Sequence, residues 1–160
     1  MRRIAALPAS VLVAAILGAG PVSSEPRSFR GIQVMPGGTI AGDRIVYQTG
    51  DVIVVPAGPG IDGFDSCPSG SVCLFENTSW TGDMVAFSNC CAWNDLAAFG
   101  FNNVASSWRN RKSVDGQIAM TAGGGGTRLC LNNNSYSSSM PSGWDNAASS
   151  IRVRDASTYC

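Results

Sequence analysis

The chain has no histidine in 160 residues. That absence removes Ser-His and Cys-His nucleophilic chemistry, because no imidazole is present to take the proton. It also argues against zinc, which wants His or paired Cys-x-x-Cys ligands, and the cysteines show no such pair. Charge is scarce as well, at 14% of residues, with eleven basic and eleven acidic groups in balance. Arg109, Arg111 and Lys112 form only a small cluster, so nucleic-acid binding has no electrostatic support. Asp83, Asp95 and Asp145 are carboxylates, but nothing in the sequence pairs them for acid–base work. The glycine run over residues 123–126 lacks a Lys-Ser/Thr ending and a following helix, so it is no phosphate cradle and reads as a flexible hairpin tip. An enzyme is therefore not expected. Helix-patterned stretches are few and glycine is abundant, which points to an all-β chain.

What is present begins with a leader. Met1-Arg2-Arg3 supplies a positive end, and residues 4–19 are apolar but short and interrupted by Pro8. Val22 and Ser24 suit the small-residue positions before a cut, leaving Glu25 as the first mature residue. The expectation is a signal peptide over residues 1–24, no membrane span after its removal, and a secreted, extracellular, monomeric protein that is slightly acidic once Arg2 and Arg3 are gone.

Six cysteines follow: Cys67, Cys73, Cys90, Cys91, Cys130 and Cys160. An even count in an exported chain of this size reads as disulfides, with fifteen pairings open. The short Pro-Ser-Gly turn between Cys67 and Cys73 brings that pair within bridging range. Adjacent Cys90 and Cys91 would close a strained ring, so each is expected to reach a different partner.

Residues 25–66 differ from the rest. Arg44-Ile45-Val46-Tyr47-Gln48 and Val52-Ile53-Val54-Val55 are β-prone runs separated by a Gly-Asp turn, which predicts a hairpin. Pro56-Ala57-Gly58-Pro59-Gly60 then reads as a linker. One hairpin cannot own a core, so this extension should dock on the following domain or remain mobile. The domain proper runs over residues 67–160. Its first unit, about 67–112, offers strands at residues 71–76, 83–87 and 108–110 and a helical turn at residues 95–99. Its second unit covers about 113–154.

The most informative pattern is a pair of runs. Asn102-Asn103-Val104-Ala105-Ser106-Ser107 and Asp145-Asn146-Ala147-Ala148-Ser149-Ser150 both read [Asn/Asp]-Asn-x-x-Ser-Ser, and both follow Gly-aromatic. They lie 43 residues apart, counted from 102 to 145. Amides, a carboxylate and hydroxyls at this spacing form an oxygen-rich turn suited to a hard cation such as calcium. From Gly82 onward the second unit can be laid on the first without gaps: Gly125 falls on Gly82, Tyr136 on Trp93, Trp144 on Phe101. The second hairpin is degenerate, because Met120-Thr121-Ala122-Gly123 falls on Asn-Thr-Ser-Trp and loses the aromatic. Each unit alone would expose sheet edges and an apolar face, so two units should face each other in one sandwich.

These residues carry a resemblance. Phe75-Glu76-x-x-x-Trp80-x-Gly82 resembles the aromatic-corner signature of βγ-crystallin Greek keys, and the paired runs resemble that superfamily's microbial calcium motif. The opening Cys67-Pro68-Ser69-Gly70-Ser71-Val72-Cys73 resembles peptidase inhibitor family I36, founded by a Streptomyces metalloproteinase inhibitor of this fold. The resemblance implies two Greek keys in a βγ-crystallin-like sandwich with two calcium sites. It carries over Asn102, Asn103 and Ser106 for one site, then Asp145, Asn146 and Ser149 for the other. The first and fifth positions would act through side-chain oxygens and the second through its carbonyl. It adds the backbone carbonyl of Glu76, with a counterpart near residues 119–121, and makes Ser107 and Ser150 fold residues rather than ligands. It also implies an extracellular protease, of the metallo class first, as partner. The family's closely spaced second Cys pair, which pins the reactive loop, has no match here, so no reactive bond is assigned. Residues 88–95 and 131–142 are the candidate loops. The competing reading is a calcium-stabilised structural or wall-associated module without inhibitory activity, and a toxin or antimicrobial role stands third.

Overall fold

The computed structural model describes residues 27–48, 51–58, 63–156 and 160. The expected leader and its cleavage point lie outside them. Thirteen strands are described, with one short α-helix and three 3-10 turns. No helix among the described residues is long and apolar enough to cross a membrane.

The first unit supplies β6 (Val72–Phe75), β7 (Met84–Phe87), β8 (Asn94–Asp95) and β9 (Ser107–Asn110). The second supplies β10 (Gly116–Thr121), β11 (Gly125–Leu131), β12 (Tyr136–Ser137) and β13 (Ser150–Val153). In each unit the first strand pairs antiparallel with the second and the fourth. The third strands are exchanged. β8 pairs with β13 of the other unit, and β12 pairs with β9. Neither unit is thus a self-contained four-stranded sheet, and each closes an edge of its neighbour. The result is all-β and carries two Greek keys.

The extension lengthens this arrangement. A small ladder of β1 (Ser28–Phe29) and β2 (Ile32–Gln33) comes first. β3 (Thr39–Ala41), β4 (Arg44–Tyr47) and β5 (Val52–Val55) then form an antiparallel meander. β5 pairs along its whole length with β7, from Val52 opposite Phe87 to Val55 opposite Met84. One seven-stranded sheet results, in the order β12-β9-β6-β7-β5-β4-β3, facing a four-stranded sheet in the order β11-β10-β13-β8. Of the two expectations for the extension, docking is the outcome.

Burial explains why. Between the sheets lie Leu74, Val85, Phe87, Leu96, Ile118, Leu131 and Ile151, joined by Ile45, Tyr47, Val52 and Val54 from the extension. Each residue of this last group is at most 3% exposed, so the meander contributes about 1.5–3 kcal/mol per side chain to a core it could not build alone. β6 and β7 are buried at every position rather than alternately. Their outer face carries Cys73, Phe75, Met84 and Ala86, which pack with Val55 and Cys67 in a second cluster. The helix α1 (Gly63–Ser66) lies at the edge of this face, where the Ser66 hydroxyl meets the Met84 sulfur at 3.6 Å and Arg109 donates to the Phe64 carbonyl.

All six cysteines are bonded. Cys67 pairs with Cys73, both fully buried, and Cys130 pairs with Cys160. Cys90 pairs with its neighbour Cys91, against the sequence expectation. The other four sulfurs are already committed to each other. Cys91 takes a left-handed backbone, φ +83°, in the turn that closes this two-residue ring.

Candidate functional site

The two [Asn/Asp]-Asn-x-x-Ser-Ser runs meet at one end of the sandwich. Their second residues, Asn103 and Asn146, have φ of +56° and +53°. Asparagine tolerates this left-handed conformation better than most residues, which accounts for it at both places. The bend points each backbone N–H at the opposite run. Asn103 donates to the Ala148 carbonyl at 2.9 Å, and Asn146 donates to the Ala105 carbonyl at 3.1 Å. The side chains repeat the exchange. The Ser106 hydroxyl donates to Asn146 Oδ1 at 3.4 Å, and the Ser149 hydroxyl donates to Asn103 Oδ1 at 3.1 Å. Hydroxyl and amide oxygens are thus paired across the two runs. Asn102 and Asp145 open each run and are exposed.

The fifth and sixth positions have different duties. The Ser106 N–H donates to the Phe75 carbonyl and the Ser149 N–H to the Ala119 carbonyl, each at 2.9 Å. Glu76 and Met120 follow directly, so Met120 is the structural counterpart of Glu76. The Glu76 carboxylate itself turns to the hairpin, where it accepts from the Asp83 N–H at 3.1 Å. Burial raises the Asp83 pKa, the hydrogen bond from Ala57 opposes that shift, and the Glu76 charge adds to it. Ser107 and Ser150 are fully buried and each makes two bonds. Ser107 accepts from the Trp80 N–H at 3.1 Å and donates to the Asn77 carbonyl at 2.6 Å. Ser150 accepts from the Gly124 N–H at 3.0 Å and donates to the Thr121 carbonyl at 2.7 Å. These two serines staple the hairpins to the runs.

The staples also correct the repeat alignment. Asn77 corresponds to Thr121 and Trp80 to Gly124, an offset of 44 residues in the hairpins against 43 in the runs (77 to 121, 102 to 145). Gly82 (φ +79°) therefore matches Gly126 (φ +70°), not Gly125. One extra residue separates hairpin from run in the first unit.

The glycine run forms the hairpin tip between β10 and β11, as expected, and it is packed against the rest of the fold. Gly123 donates to Asp95 Oδ1 at 2.6 Å, and Gly124 is buried under Trp93. A Cβ on Gly124 would stand 2.0 Å from the indole. The glycine lets an aromatic from elsewhere in the fold seat directly on the backbone.

A second feature was invisible to sequence reasoning. Phe64, Trp80 and Tyr136 form a three-ring edge-to-face cluster with centroids 4.7–5.7 Å apart. Arg109 stacks on Phe64 at 3.5 Å. Beside it runs an open groove of about 520 Å³ lined by Ala57, Gly58, Gly63, Phe64 and residues 79–82. The sequence singled out Trp80 at the aromatic corner and Tyr136 only as the repeat counterpart of Trp93, and it gave no sign of Phe64. Phe64 and Tyr136 reach it from segments far away in sequence. One further group brings Asp115, Cys130 and Cys160 within 4.8 Å, but its sulfurs are joined in a disulfide and offer no thiolate to a metal.

The candidate loops differ in how they are held. Residues 88–95 are tied by Ser88 to the Asp51 carbonyl, by Lys112 Nζ to the Ser88 carbonyl at 2.8 Å, and by the Cys91 N–H to the Val153 carbonyl at 2.8 Å. Residues 131–142 carry exposed Asn132, Asn133, Asn134 and Tyr136, the last 60% exposed.

Residues 61–118 match the family model of peptidase inhibitor family I36. No curated protein matches the chain. Among solved structures, one from work on the evolution of the eye-lens βγ-crystallin domain fold aligns at a TM-score of 0.52 and 21% identity. It covers 64% of this chain and 95% of that one. The N-terminal domain of Protein S aligns at 0.46 and 25% identity, covering 54% and 97%. A βγ-crystallin from Ciona intestinalis aligns at 0.45 and 24% identity, covering 52% and 99%. The fold of this chain is that of the βγ-crystallin domains.

Proposed function

From a chain whose residues 61–118 match peptidase inhibitor family I36 on a βγ-crystallin fold, we propose a secreted, calcium-binding inhibitor of extracellular metalloproteases rather than an enzyme. The family match is the observation that carries this reading. Calcium rests on the donor set. Every nominated group is an oxygen, the hydroxyls and amides pair across the runs, and Asp145 brings a formal charge. Hard oxygen donors partly open to water suit a flexible calcium shell. Asn102, Asn103, Ser106, Asp145, Asn146 and Ser149 would hold the ions, with backbone carbonyls of Glu76 and Met120 completing each set. Bound calcium would cross-link the two runs by charge. A ligand held only by the native state adds about 2.7 kcal/mol at one hundred times its Kd.

One observation favours the alternative, a calcium-stabilised structural module. The disulfide in residues 88–95 joins adjacent residues and clamps no loop, while residues 131–142 carry no bridge of their own and lie inside the wide 30-residue segment closed by Cys130–Cys160, so neither loop is pinned by a closely spaced pair. The deciding experiment incubates the purified secreted chain with a thermolysin-class protease, with calcium and with EDTA. Stoichiometric inhibition and an intact complex are expected. No inhibition of any metallo- or serine protease, with a calcium-dependent melt retained, selects the structural module instead.

A further inference from the structure

The three disulfides have unequal tasks. Cys67–Cys73 is fully buried and holds the start of the domain against the outer face of the large sheet. Cys130–Cys160 spans 30 residues, and the Cys160 N–H also donates to buried Asp115 at 3.0 Å. Cys90–Cys91 spans one residue. A cross-link stabilises by closing a chain loop, and this one closes none of consequence. Both residues are exposed. A bond with little structural return in an accessible place is open to chemistry.

Its surroundings supply a second, independent observation. A cleft of about 50 Å³ is lined by Cys91, Arg152, Arg154 and Asp155. Arg152 and Arg154 share Gln117 Oε1 as acceptor, at 2.9 Å from Arg152 Nη2 and 3.1 Å from Arg154 Nη1. Gln117 is neutral, and among the described residues lining the cleft Asp155 sets one negative charge against the two guanidiniums. Arg152 also lies 4.8 Å above the Trp93 ring, with Arg128 at 5.4 Å. Burial lowers the Arg152 pKa, and the positive charges of Arg154 and Arg128 lower it further while Asp155 opposes them. Positive charge beside a sulfur favours an approaching thiolate and the thiolate that leaves.

We propose that Cys90–Cys91 is a reversible thiol–disulfide exchange site for small anionic thiols, which the Arg152–Arg154 cleft draws in. A thiolate attacks Cys91 Sγ, the Cys90–Cys91 bond breaks, and Cys90 leaves as a thiolate that takes a proton from water. A second thiolate attacks the mixed disulfide and releases Cys91. The protein gains two electrons and two protons, and two thiols become one small-molecule disulfide. The site is independent of protease inhibition and of calcium.

The test titrates the whole secreted chain, under native conditions, with reduced glutathione and with neutral 2-mercaptoethanol. Free thiols are trapped by alkylation and located by peptide mass mapping. Cys90 and Cys91 should be alkylated at roughly tenfold lower thiol than the other four cysteines. Simultaneous reduction of all three bonds, or a map pairing Cys90 or Cys91 elsewhere, overturns the proposal. Arg154→Gln should slow the glutathione reaction about three- to tenfold and leave the mercaptoethanol reaction unchanged. Equal slowing of both, or of neither, removes the cleft from the proposal and overturns it. Added salt on the unmodified chain provides the same discrimination if the variant does not fold, since only the charged thiol should be slowed.

Discussion

The two hairpin corners have the same backbone and opposite chemistry. In the first unit Ser79 and Trp80 both sit at φ +57°. In the second, Gly123 and Gly124 sit at +64° and +80°. A buried serine staples each corner through the same two bonds. At the first corner the aromatic belongs to the hairpin, and Trp80 turns outward to meet Phe64 and Tyr136. At the second the hairpin has none, and Trp93 packs on the bare backbone. Trp93 and Tyr136 occupy matching places in their units, one seated on a glycine and one left open beside a groove. The comparison shows that the fold requires the turn and its staple, while the aromatic can come from either side.

The largest test of that difference is Gly124→Ala. The new Cβ would meet the Trp93 ring at 2.0 Å on a backbone at φ +80°, so a loss of about 3 kcal/mol or more is expected in urea unfolding. In a Trp93→Ala background the same change should cost only about 1 kcal/mol, the backbone share. A cost equal in both backgrounds would refute the seating of Trp93. Ser107→Ala and Ser150→Ala come next. Each strands a hairpin N–H and loses a bond to a carbonyl, for about 2 kcal/mol apiece. Unequal losses would show that the corners are not stapled alike. Trp80→Ala should cost about 1–2 kcal/mol, since its ring is only half-buried, and Ser79→Gly at the same corner should be close to neutral. Thermal melts of the two variants decide this pair. A binding effect of modest size separates the runs. Asp145→Asn should weaken calcium binding and Asn102→Asp should strengthen it, each by roughly 1 kcal/mol in calorimetric titration. An unchanged tighter step in Asp145→Asn would sink the charge argument.

Much of this was legible because repetition leaves marks that do not depend on context. The strands at residues 72–75, 84–87 and 107–110 fall within or across those expected, and the helical turn ends at Phe99 as expected. The paired runs were visible because a left-handed turn needs Asn and a staple needs Ser, whatever surrounds them. The hairpin offset was misjudged by one residue because glycines at 123–126 are interchangeable on paper. The bonds that tie Ser150 to Gly124 and Thr121 select the register. The vicinal disulfide was missed for a related reason. Ring closure depends on the φ of Cys91 and on which other sulfurs are taken, and neither is written in local composition.

The sequence by itself determined an all-β chain, two repeats, oxygen-rich turns and an even set of cysteines, since alternation, turn chemistry and residue counts act over a few positions. The tertiary structure alone decided that β8 and β12 change sheets, that the extension completes the core through Ile45, Tyr47, Val52 and Val54, and that Trp93 covers Gly124. These outcomes depend on which apolar faces must leave water together. Burial rewards the sum of contacts across the whole chain, and no single segment carries that sum in its own residues.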